Sequence, residues 1–144
     1  MQMLLGWIMI VFGGALYLAQ IISSINFQLA QKLGIQEKPE TSDALLQCSE
    51  RYTAYWDLLT LLWMPVAGIL MITNHLWWPV FSLIAAIIYL DTAGREAVKN
   101  LSFQHEGYKV GTEKEQRLYF TSYIIMLILS ITVIFYSITP LLFS

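Results

Sequence analysis

Charge, cysteine and histidine are all scarce in this chain. Of 144 residues only 12% are charged, against about 25% in a typical soluble domain. The single cysteine, Cys48, leaves no partner for an intrachain disulfide or a dithiol redox pair. Neither histidine, His75 or His105, has a second histidine on the same apolar run, which argues against a bis-histidine haem. His105 and Glu106 are adjacent, without metal-ligand spacing or a third ligand nearby. No phosphate-cradling glycine loop, nucleophile elbow or zinc motif occurs. A net charge of -2 with no basic tract argues against a nucleic-acid partner.

What is abundant is apolar sequence, 57% of the chain. It is gathered into runs rather than spread as stripes. A hydrocarbon core of about 30 Å takes about 20 helical residues. Four segments approach that, at about 3–22, 56–73, 77–94 and 117–139. The expected fold is therefore all-α: one integral membrane domain, 1–144, built as an antiparallel up-down four-helix bundle. Helices one and two extend into the cytoplasm. Residues 1–22 lack a basic leader region and read as a retained helix.

Charge placement predicts the topology. Lys32, Lys38 and Arg51 follow the first span, and Arg95, Lys99, Lys109, Lys114 and Arg117 follow the third. The N-terminus, the 74–79 turn and the C-terminal tail carry no lysine or arginine. The positive-inside rule places both long loops in the cytoplasm and both termini outside a cell inner (plasma) membrane.

Several local features have a mechanism. Gly6 and Gly13 share one face of span one, and Ala15 and Ala19 have small-xxx-small spacing, so a close helix contact is expected there. The first helix is expected to run past the membrane as an amphipathic stretch and stop at Gly34. Ser42 or Asp43 suits the next N-cap, and that helix is expected to be continuous into the bilayer. Pro65 should kink span two by freeing the carbonyl of Leu61, which a neighbour must then satisfy. Pro79 suits the first turn of span three. Phe103, Tyr108 and Val110 suit the membrane surface. Thr112 and Glu115 form a capping box for the last helix. Gln116, Tyr123, Ser130 and Ser137, each seven apart, predict a polar stripe turned toward protein and bonded to another helix.

The hairpin between Asp57 and Asp91 centres the functional reading. At about 1.5 Å per residue, Asp57 lies about 25 Å before the 74–79 turn and Asp91 about 20 Å after it. Both acids reach one depth, and Arg95 lies one helical turn beyond Asp91. The expected cluster at the cytoplasmic side is Glu50, Arg51, Tyr55, Asp57, Asp91, Arg95, Tyr119 and Tyr123. It reads either as an ion-pair clamp or as a ligand-binding site. No catalytic residue, metal ligand or cofactor is expected.

Four spans, outer termini, a cytoplasmic first loop and inner-side polar residues resemble the layout of the small membrane-associated glutathione and eicosanoid enzymes. Gln47-Cys48-Ser49-Glu50 is similar to their second-helix Asn…Glu pattern, with Gln47 in place of Asn and Asp43 in place of the family's Arg. The resemblance implies glutathione at the inner-side Arg and Tyr cluster. The leading expectation is instead a non-catalytic accessory subunit, with a membrane-protein partner or self-association in the lipid bilayer. A membrane enzyme or small-molecule binder with a cytoplasm-facing site is the alternative, and a small carrier the third.

Overall fold

The computed structural model describes residues 1–143 and is all-helical. Its helices are α1 (Gln2–Ile25), α2 (Phe27–Lys32), α3 (Ala44–Thr60), α4 (Trp63–Ile72), α5 (Trp78–His105) and α6 (Glu113–Phe143). Three stretches are long and apolar enough to cross a membrane: Gln2–Ile25, Ala44–Ile72 and Glu113–Leu142. At most 33% of the most apolar part of each is buried. Side chains such as Val11, Leu59, Ile128 and Phe135 point outward. So much contiguous apolar surface is compatible with a hydrocarbon surrounding. In α5 the apolar part, residues 78–90, is shorter, about 20 Å at the helical rise, before the helix turns polar at Asp91.

Close packing follows the small residues. A Cβ at Gly68 of α4 would meet the Gly6 carbonyl oxygen at 2.7 Å, and one at Gly6 would meet Ile72 Cγ2 at 2.5 Å. A Cβ at Gly13 would lie 2.9 Å from Met64 Cγ. These glycines let the α1 and α4 backbones touch. The expected continuation of this face fails at Ala15, which is exposed. The core cluster brings Met9, Met64, Met71, Ala85, Ala86, Tyr89 and Val133 together. α1 packs on α4, α4 on α5 and α5 on α6, with α1 also on α3. α1 and α6 are not close-packed neighbours.

Two helices expected to be continuous are interrupted. α1 stops at Ile25 because Asn26 leaves helical geometry (φ -144°, ψ 87°) and accepts a hydrogen bond from Leu29 N at 3.0 Å. A new helix, α2, begins there and ends before Gly34, whose φ of +73° suits glycine. The second interruption, at Leu61 and Leu62, precedes Pro65 by one turn. Proline cannot donate to Leu61 O. Tyr89 Oη on α5 does so instead, at 3.2 Å, which supplies the neighbour that the freed carbonyl needs.

The polar loops are tied to each other. Asp43 precedes α3, but its carboxylate does not cap that helix. Asp43 Oδ2 accepts from Lys109 N at 2.5 Å, and Asp43 N donates to Lys109 O at 2.9 Å. Gly111 N donates to Thr41 O at 2.9 Å, and Ser42 and Val110 form an isolated antiparallel bridge. Val110 is consequently buried rather than on the surface, while the Phe103 and Tyr108 rings pack edge-on, centroids 5.4 Å apart. The capping box forms as expected: Glu115 Oε2 accepts from Thr112 N at 2.7 Å, and Glu115 N donates to Thr112 Oγ1 at 3.3 Å.

Candidate functional site

The 33–43 loop borders a cavity of about 280 Å³ at the polar end of the helices. Its wall is assembled from every long helix. Leu16 and Gln20 come from α1, Gln36 and Glu37 from the 33–43 loop, and Glu50 and Asp57 from α3. Thr92 and Glu96 come from α5, and Tyr119, Ser122, Tyr123 and Met126 from α6. Helical phase explains the α3 and α5 contributions. Glu50 and Asp57 are seven apart, two turns on one face, and Tyr89, Thr92 and Glu96 follow at three- and four-residue spacing.

Four carboxylates line this space: Glu37, Glu50, Asp57 and Glu96. Two cations stand beside them. Lys99 Nζ lies 2.7 Å from Glu50 Oε1 and also contacts Glu96. Burial works against the charge on Lys99, but the two carboxylates outweigh it and hold the ammonium above its usual range. Arg95, half exposed, spreads its guanidinium over three acids, at 3.8 Å from Asp57, 3.7 Å from Asp91 and 3.6 Å from Glu96. None of these Arg95 contacts is at hydrogen-bonding distance. Lys99 therefore matches Glu50 and Glu96, whereas Glu37 and Asp57 keep unmet acceptor capacity. Asp57 is 3% exposed, and its Oδ1 accepts no hydrogen bond. Glu37, also 3% exposed, makes no side-chain ion pair among the described residues. Burial first, then the neighbouring charge of Glu50, raises its pKa to about 7.

The remaining polar groups are divided between structure and cavity. Tyr123 Oη accepts from Asn100 Nδ2 at 2.9 Å, and Gln104 Nε2 donates to Gln116 Oε1 at 3.1 Å. Tyr119 Oη faces the cavity without a partner. Gln36 Nε2 donates to Ser23 Oγ at 3.2 Å, and Gln31 Nε2 donates to Glu37 O at 2.8 Å, so the loop carrying Glu37 is held in place. Among the described residues no set of three His, Cys, Asp or Glu side chains converges as a metal site would.

Of the residues expected at this side, Asp57, Tyr119 and Tyr123 line the cavity together with Glu50. Arg95 and Asp91 stand outside it, joined to Asp57 through the arginine, and the Asp91 side chain is 71% exposed. Arg51 and Tyr55 are exposed and do not line it, because their phase on α3 turns them away from the Glu50–Asp57 face. Sequence reading missed Glu37, Glu96 and Lys99. The stripe Ala85, Tyr89, Thr92, Glu96 carried a signal for Glu96, since it continues an apolar face into polar residues. Glu37 carried none, since a loop has no phase. No family model, curated protein or solved structure matches this chain.

Proposed function

We propose that the chain is a multi-pass protein of a cell inner membrane that binds a small organic cation in its loop-side cavity. In this reading the first half of α5 is a fourth crossing, and the helices alternate in direction as a four-helix bundle. All eight Lys and Arg residues lie at the loop end, which supports a cytoplasmic position for that end and an outer one for both termini. The observation that carries the binding reading is a cavity lined by four carboxylates, among them Glu37, which is 3% exposed and makes no side-chain ion pair among the described residues, and Asp57, whose Oδ1 meets the Arg95 guanidinium only at 3.8 Å. Buried carboxylates without a close, hydrogen-bonded counter-charge are costly, and a bound cation lowers that cost. Glutathione, which carries negative carboxylates, fits this lining poorly.

The accessory or self-associating subunit rests on the glycine face of α1, the polar stripe of α6 and the two amphipathic cytoplasmic extensions. The first two are used inside the chain: Gly6 and Gly13 against α4, Ser130 and Ser137 buried. The test is ligand-induced stabilisation of the detergent-purified protein, using tetramethylammonium and guanidinium against glutathione. The cations are expected to raise the unfolding temperature of the natural chain, and Asp57→Asn to remove that rise. Stabilisation by glutathione alone, or by nothing in the set, rejects the reading. A second protein at fixed stoichiometry in native mass spectrometry would favour the accessory subunit instead.

A further inference from the structure

The acidic cavity is one of two openings between α1 and α6. Leu16 and Gln20 of α1 and Tyr123 and Met126 of α6 line it at the loop end. The second is an apolar groove between the same two helices, nearer the termini. Leu4 and Ile8 of α1 face Thr132, Phe135 and Tyr136 of α6 across it. About two helical turns separate the openings along each helix. They share a cause. α1 packs on α4, and α6 on α5, while α1 and α6 do not close on each other. The seam between them is polar and acidic at one end and apolar at the other. From Gln20 to Ile8 it runs about 18 Å.

Resting on the cation-binding reading, we propose that the ligand is a membrane-dissolved amphiphile with a cationic amine head and one long alkyl chain. The head enters the carboxylate-lined cavity, and the chain lies along the α1–α6 seam and ends in the apolar groove. Charge complementarity selects the head. Glu37, 3% exposed, lines the cavity without a side-chain ion pair among the described residues, and Asp57, whose Oδ1 is 3.8 Å from the Arg95 guanidinium, lies on the same wall. The chain is selected by geometry: a groove on the same seam, lined by aliphatic and aromatic carbon, at a distance a long alkyl tail spans. Such a ligand reaches the cavity sideways from the bilayer without the loops opening, which agrees with how firmly the 33–43 loop is tied to residues 109–111.

The experiment uses the full chain in lipid nanodiscs and a long-chain alkylamine bearing a diazirine near the far end of its chain. Photolabelled positions are read by mass spectrometry, with tetramethylammonium binding measured in parallel. Labels are expected on Ile8, Thr132 and Phe135. An unlabelled alkylamine should compete them away, and an alkyl sulfate of equal length should not. Asp57→Asn, at the other end of the seam, should lower groove labelling about tenfold, the loss of one charge-assisted contact. Glu37→Gln, in a loop, provides the same readout should Asp57→Asn fold poorly. Thr132→Trp should fill the groove and abolish labelling while tetramethylammonium still binds. Groove labelling indifferent to both carboxylate variants is ordinary lipid contact and overturns the amphiphile, with the cation site left standing. Binding of neither probe overturns both.

Discussion

The two ends of the α1–α4–α5–α6 row solve the same problem in opposite ways. Near the termini the helices approach through Gly6, Gly13, Gly68, Ala85 and Ala86, and almost nothing there is hydrogen-bonded between side chains. Ser82, Ser130 and Ser137 are fully buried, yet none has a partner. They serve as small residues, and the bonding expected of the α6 stripe is confined to its loop end, at Gln116 and Tyr123. Near the loops the helices carry long polar side chains, stay apart, and leave a cavity that charges and loop hydrogen bonds surround. Dispersion contacts between closely approached backbones hold the first end. Paired charges and strapped backbone hold the second. The cavity belongs to the end whose packing leaves space.

That contrast can be broken at the tight end. Gly68→Leu forces a side chain against the α1 backbone at Gly6 and should destabilise by at least about 1–3 kcal/mol, read as lost thermal stability in micelles. A mild effect would show that α1 and α4 slide apart readily. At the junction between the ends, Tyr89→Phe leaves Leu61 O without its donor. It should cost about 1–3 kcal/mol, the penalty of an unsatisfied buried carbonyl. Equal stability of the two forms would mean that the helix break at Leu61 is satisfied some other way.

At the polar end the signature is a pH dependence. The carboxyl of Glu37 is raised from 4.5 to about 7 and faces Glu50, Lys99, Glu115 and Tyr119. The folded chain holds this proton longer than the unfolded chain. Between pH 4.5 and about 7, rising pH therefore lowers the stability contributed by the site. A bound cation reverses the preference, so tetramethylammonium affinity should strengthen as pH rises through about 7. Titration of binding at several pH values checks this, and Glu37→Gln should flatten the slope. The smallest effect is expected at the tight end again. Ser130→Ala removes a hydroxyl that bonds to nothing, and the change in stability should stay within about 0.5 kcal/mol. A large loss would reveal a hydrogen bond on the buried face of α6.

The placement of individual site residues divides along the same physical line. Asp57 and Arg95 could be brought together from the sequence because a helical hairpin with a short turn sets equal depth on both arms. Tyr119 and Tyr123 followed from phase on a long helix. Arg51 and Tyr55 share the depth of the cluster but not its face, and depth alone admitted them. The α1–α2 break at Asn26 was missed because apolar spacing continues across it in Ile22, Ile25 and Leu29. A single side-chain cap overrode the pattern.

The sequence by itself determined that the chain is helical, that its apolar runs can cross a membrane, and where the 74–79 turn and the Thr112–Glu115 cap fall. These follow from run length, local hydrogen bonding and backbone sterics, which act over a few residues. Only the tertiary structure decided which acids share a cavity, that Glu37 joins them from a loop, and that α1 and α6 stand apart. Those facts depend on the azimuth of each helix against its neighbours and on the path of a loop. Both are set by contacts between residues far apart in the chain.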